Sequence, residues 1–203
     1  MKTRNHLIVM AKAPVAGRVK TRLVPALGEA GAAALAGRLL EHAVSQAVAA
    51  HLGAVELCLA PDLTHPLGLQ MQARHGLVLS AQVEGDIGVR MQRALDRALQ
   101  RAECVCLVGT DAPAIDAAYW RLAFDVLATH DAVFGPAWDG GYALVGLRRP
   151  LPQIFVDVPW STPQVMAVTR RRLVDAGVAF AELPHVHDID EPADLAHLPA
   201  GWL

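Results

Sequence analysis

"HLIVMAKAPVAGRVKTRL", His6 to Leu23, is the stretch on which the fold turns. His6 to Ala11 is an apolar run of strand length, broken by Lys12, Pro14 and Gly17. An Ala/Leu-rich segment from about Glu29 to His51 then has the length and composition of a helix. Strand, loop and helix in this order open an α/β sheet, and such sheets place ligands outside the carboxyl ends of their strands. The loop carries Lys12, Arg18, Lys20 and Arg22, four of the chain's 18 basic residues. A dinucleotide fingerprint needs three closely spaced glycines, and only Gly17 precedes Gly28. A P-loop needs a glycine directly before its Lys-Thr pair, where Lys20 is preceded by Val19. Both motifs fail. What remains is a loop able to aim backbone N–H groups and cations at phosphate oxygens, with Lys12 and Gly17 in the loop. Arg18 and Arg22 are its bidentate clamps and Lys20 a mobile point charge. A solvated basic turn is the plain alternative.

Working outward, "AVELCLA" (54–60) and "GLVLSAQ" (76–82) read as short strands. Gly88 to Arg101 reads as a helix that buries Val89, Met91, Leu95, Ala98 and Leu99 and turns Arg90, Arg93 and Arg97 to solvent. "CVCLVG" (104–109) has no polar alternation, as in a central strand covered on both faces. Asp116 is placed to cap a helix over 117–129, and "DAVFGPA" and "YALVGL" are strands. Ser161, with Gln164 three residues later, reads as the capped start of a helix to about Ala176; "VAFAEL" is the last strand, and a short helix ends the chain. The pattern predicts one domain over residues 1–203, a three-layer α/β/α arrangement. Its sheet is mostly parallel, with one or two antiparallel strands around 131–147.

The balance of 20 acidic and 18 basic groups, net charge -2, provides no general positive field for nucleic acid. Cys58, Cys104 and Cys106 cannot all pair and lie in apolar runs, which suits free thiols in a reducing compartment. The run "LIVMA" is too short for a membrane span, so a cytoplasmic location is expected. The high apolar fraction fits either a homodimer interface or a full core.

Three further segments carry chemistry. "GTDAP" puts Asp111 at the end of the central strand, where it is suited to hold a divalent cation against phosphates. "HVHDIDEPADL" adds Asp188 and Asp190 as oxygen ligands; its His185 and His187 match no strong zinc spacing. In "PAWDGGYALVG", Gly140 and Gly141 permit close backbone approach, Trp138 and Tyr142 offer flat faces, and Asp139 is a candidate for orienting an acceptor. A packed hairpin turn is the alternative reading. No Gly-x-Ser-x-Gly elbow is present and no cysteine has an evident activating partner.

Taken in order, "MAKAPVAGRVKTRL", "EGDIGVRM", "GTDAP", "GPAWDGGYALVGL", "VPWSTPQV" and "HDIDEPADL" resemble the DUF2064 family, also called glycosyltransferase-like or radical-SAM/selenodomain-associated transferase 1 proteins. The resemblance runs from about His6 to Leu198. It implies a GT-A-like nucleotide-diphospho-sugar transferase fold with a nucleotide on Lys12 through Arg22. It also implies Mg²⁺ or Mn²⁺ on Asp111 and on Asp188 or Asp190. The first mechanism is glycosyl transfer from an NDP-sugar to an unknown acceptor. In it Asp139 activates an acceptor hydroxyl, while Trp138, Gly140, Gly141, Tyr142 and Trp160 shape the acceptor pocket. The second is nucleotidyl transfer from an NTP to a phosphorylated acceptor, with release of pyrophosphate. A third reading is a nucleotide-binding protein without catalysis.

Overall fold

Strand β1 (Thr3–Lys12) lies in the middle of a seven-stranded sheet, and its alternation explains the layering. Leu7, Val9 and Ala11 point into one core, whereas Ile8 and Met10 point into another on the opposite face. A strand buried on both faces needs a helical layer on each side. The computed structural model describes residues 3–202.

The first helix, α1 (Val24–Ala49), is followed by β2 (Ala54–Ala60), α2 (Pro66–His75), β3 (Val78–Ala81), α3 (Ile87–Leu99) and β4 (Ala102–Val108). Helix α4 (Ala117–Leu127), β5 (Ala132–Pro136), β6 (Tyr142–Leu147), α5 (Val165–Asp175) and β7 (Phe180–Glu182) complete the main elements. The sheet order is β3-β2-β1-β4-β6-β5-β7. Only β6 runs against its neighbours, pairing antiparallel with both β4 and β5. Helices α1, α2 and α4 cover the face holding Leu7 and Val9, and α3 and α5 cover the other. The fold is thus the expected three-layer α/β/α arrangement, with a single reversed strand.

Several local expectations are corrected. Helix α1 is bent at Gly28 (φ 70, ψ 166), so its regular part begins where the sequence places it. Thr21–Ala49 is long and apolar enough to cross a bilayer by length and composition, with mean hydropathy 1.3. Its Leu40, Val44 and Ala47 nevertheless pack into the main core, the position of a core helix. Ser161 does not cap α5: it sits at φ 61, whereas an N-cap is extended, and the helix starts after Gln164 without a side-chain cap. Asp116 does cap α4, accepting from the Tyr119 N–H at 2.8 Å.

Arg97 also departs from its expected solvent-facing role. Its guanidinium donates to Glu56 and to the Ser80 hydroxyl (2.9 Å), and His6 Nε2 meets the other Glu56 oxygen at 2.8 Å. Burial works to raise the Glu56 pKa, but hydrogen bonds from His6 and Ser80 and the charge of Arg97 outweigh it and hold the carboxyl at about 2. Because the folded value lies below the unfolded one, the stabilisation is complete above about pH 4.3 and is lost as pH falls toward 2. It amounts to about 3 kcal/mol. Glu56→Gln should remove this part of the acid dependence, which urea denaturation at pH 7, 4 and 2.5 will measure.

Candidate active site

The carboxyl ends of β1 and β4, the start of β6 and the 161–163 segment surround a cleft of about 660 Å³. That volume suits a nucleotide-sized ligand. The sheet brings the first loop and Asp111 to the same edge because β1 and β4 are parallel neighbours.

Lys20 is the hub of this edge. It occupies the left-handed region (φ 46, ψ 41), and its ammonium pairs with Asp111, donates to Asp190 Oδ1 at 2.9 Å and donates to the Ile189 carbonyl at 2.6 Å. The expected mobile point charge is therefore a fixed one, with only 7 % of its side chain exposed. Burial disfavours its charge, yet the Asp111 and Asp190 carboxylates hold its pKa above the ordinary lysine value. Ile189 anchors the opposite side. Its side chain is buried with Leu23, Leu35 and Leu39, and its N–H donates to the Asp111 carbonyl at 2.8 Å. Glu191 then caps the last short turn, Pro192–His197, in a reciprocal capping box with Asp194.

Asp188, beside Ile189, lines the cleft with one carboxylate oxygen buried and lacking a hydrogen-bond partner. Burial, reinforced by the charges of Asp111, Asp139 and Asp190, pushes its pKa up to about 7. An orphaned carboxylate oxygen surrounded by other carboxylates fits the oxygen preference of Mg²⁺ or Mn²⁺. Magnesium typically uses one or two carboxylates together with substrate phosphates. Among the described residues no three His, Cys, Asp or Glu side chains form a cage on their own. Lys20 engages both Asp111 and Asp190, and Asp188 keeps one unpartnered oxygen.

The other expected residues divide. Lys12, Arg18 and Arg22 line the cleft, with Arg22 3.7 Å from Glu191, whereas Gly17 turns the loop at φ 74 outside the lining. Asp139 and Tyr142 line the cleft. Trp138 does not: it is 65 % exposed and tilts against His185 (4.8 Å) and His187 (5.7 Å), the latter stacked on His197 at 3.7 Å. Gly140 and Gly141 approach protein rather than the cleft. A β-carbon on Gly140 (φ 89) collides with the Pro163 backbone, and one on Gly141 falls 3.1 Å from Asp139. Trp160 packs beneath the cleft lining, against Gly88 and Tyr142.

The cleft also contains residues that the sequence reading missed. Ser161, Thr162 and Pro163 form one wall, Gln82 and Met91 another, and Arg90 faces the cleft instead of bulk solvent. The blocks "EGDIGVRM" and "VPWSTPQV" are the sequence signals that contain most of them. Gly88 admits the Trp160 ring and Gly140 admits Pro163, so two glycines hold this wall in place. Gly140→Ala should lower unfolding free energy by about 3 kcal/mol. Gly109→Ala, where a β-carbon has open space, should cost less than about 1 kcal/mol. Parallel urea melts will compare them.

No functionally curated protein matches the sequence. A provisionally named nucleotide-diphospho-sugar transferase from Desulfovibrio desulfuricans G20 is 28% identical, with TM-score 0.86 over 95% of this chain and 85% of that one. The 4-diphosphocytidyl-2C-methyl-D-erythritol synthase of Anaerococcus prevotii DSM 20548 shares the fold at 10% identity, with TM-score 0.65 over 96% of this chain and 94% of that one. Rv0371C of Mycobacterium tuberculosis H37Rv, solved in complex with manganese, does so at 21% identity, with TM-score 0.55 over 97% and 98%. These likenesses establish a GT-A-like nucleotide-diphospho-sugar transferase fold, related to those of NDP-sugar and NTP-using transferases. With its profile matched over residues 43–162, more than half of the chain, the protein belongs to the DUF2064 family, described as an uncharacterized protein conserved in bacteria.

Proposed function

We propose that the protein is a nucleotidyltransferase that joins an NTP to a phosphorylated small-molecule acceptor. The observation that carries this reading is that the cations Lys12, Arg18 and Arg22 line the same cleft as the acids Asp111 and Asp188, a pairing suited to a triphosphate and a divalent cation. A phosphomonoester dianion is already a nucleophile and needs no base. The fold shared with the 4-diphosphocytidyl-2C-methyl-D-erythritol synthase supports the same choice.

In this mechanism Arg18, Arg22 and Lys12 bind the triphosphate from the first loop, and Lys20 keeps Asp111 and Asp190 oriented. Asp111 and Asp188 are the residues suited to hold a divalent cation, which supplies charge neutralisation to the phosphates when bound. An acceptor phosphate oxygen attacks the α-phosphorus, forming a new P–O bond. The bond from the α-phosphorus to the bridging oxygen breaks, and pyrophosphate leaves with that electron pair. Arg18 and its neighbours stabilise the charge that accumulates on the leaving group. Two buried free cysteines, Cys58 and Cys106, support a reducing compartment such as the cytoplasm.

The test is pyrophosphate release from each NTP with Mg²⁺ or Mn²⁺ across a panel of sugar and polyol phosphates. We expect one pairing to release pyrophosphate, chelation to abolish it and Asp111→Asn to slow it about 100-fold or more. An NDP-sugar that binds and transfers its sugar with no pyrophosphate from any NTP would replace this reading with glycosyl transfer. Metal-dependent nucleotide binding with no chemistry in any pairing would leave a binding protein.

A further inference from the structure

One corner of the cleft holds hydrogen-bond donors without matching acceptors. Arg90, in the first turn of α3, donates Nε–H to the Gly85 carbonyl at 2.9 Å. Its terminal nitrogens have no protein partner among the described residues. Behind it, the Tyr142 hydroxyl and the Trp160 indole N–H are both buried without a hydrogen-bond partner, their rings meeting edge to face at 6.3 Å.

Arg90, Tyr142 and Ser161 all line the cleft, and the Trp160 ring packs beneath the lining on Gly88. A β-carbon on Gly88 falls 2.5 Å from the indole nitrogen. Ser161 follows Trp160 and lines the cleft at φ 61, a left-handed conformation that a serine adopts at a cost. Its hydroxyl has no protein partner among the described residues. Burial raises the Tyr142 pKa well above the ordinary tyrosine range, so the phenol keeps its proton. Arginine and tryptophan can only donate, and no carboxylate pairs with Arg90 among the described residues.

A corner built from donors complements a group rich in acceptor oxygens and negative charge. We infer that Arg90 and Ser161, beside Tyr142, form the subsite for the acceptor's phosphate, distinct from the basic loop that takes the nucleotide. The inference deepens the nucleotidyl-transfer reading and rests on it. Arg90 stands on α3 and the loop cations follow β1, so cations from two elements face one cleft.

The probe is inorganic phosphate, titrated calorimetrically into the full chain, with affinity for the NTP series measured separately. Arg90→Gln should weaken phosphate roughly tenfold or more, whereas nucleotide affinity stays within about twofold. Ser161→Gly, which keeps the positive φ and removes the hydroxyl, should weaken phosphate by a smaller factor. Arg18→Gln should do the reverse and reduce nucleotide affinity while sparing phosphate. Arg90→Lys should fall between wild type and Arg90→Gln, and thermal melting within about 2 °C of wild type will show that the variants are folded. Absence of phosphate binding to the wild type, or loss that falls on the nucleotide in Arg90→Gln, overturns the inference. Failure of the nucleotidyl-transfer reading is seen independently, as absence of pyrophosphate from the wild type.

Discussion

The Lys20 ammonium ties together three parts of the chain that are distant in sequence. It leaves the loop after β1, meets Asp111 after β4 and ends on Ile189 and Asp190 near the C-terminus. Each partner is also held by another contact: Ile189 by its apolar neighbours and its bond to the Asp111 carbonyl, and Lys20 by its own backbone turn. Buried charge is stable only when paired and hydrogen-bonded, and Lys20 meets both conditions. The edge of the sheet is consequently a fixed surface on which two acids and a buried ammonium are already in place. Such preorganisation is what electrostatic catalysis requires.

The sheet itself was largely legible in the sequence because burial on both faces leaves uninterrupted apolar runs. "CVCLVG" and "LIVMA" carry that signature, and each became a central strand. The carboxyl-edge placement of Asp111 followed directly, since a strand end is a local feature. What stayed hidden depends on long-range contacts. Arg97 looked like any surface residue of an amphipathic helix until β2 and β3 delivered Glu56 and Ser80 to it. Arg90 was hidden for the same reason, and nothing in its local spacing distinguishes a cleft from bulk water.

The glycines show a similar division. The pair after Asp139 was legible as a site of close approach, but the approaching group is the Pro163 backbone and not a ligand. Sequence can signal that room is needed without naming the occupant. Trp138 illustrates the converse: an aromatic beside a candidate site lies largely in solvent against two histidines, because the hairpin turns its side chain away from the cleft.

The ends of the sheet carry a consequence for assembly. Its two outermost strands, β3 with 4 residues and β7 with 3, are the shortest of the seven. A strand offered by another molecule finds at most about 13 Å of backbone to pair with on either side. Long edges invite intermolecular strand pairing, and short ones resist it. Crowded copies of this protein therefore have little opportunity to extend one another's sheets, and any specific association is directed to the helical faces.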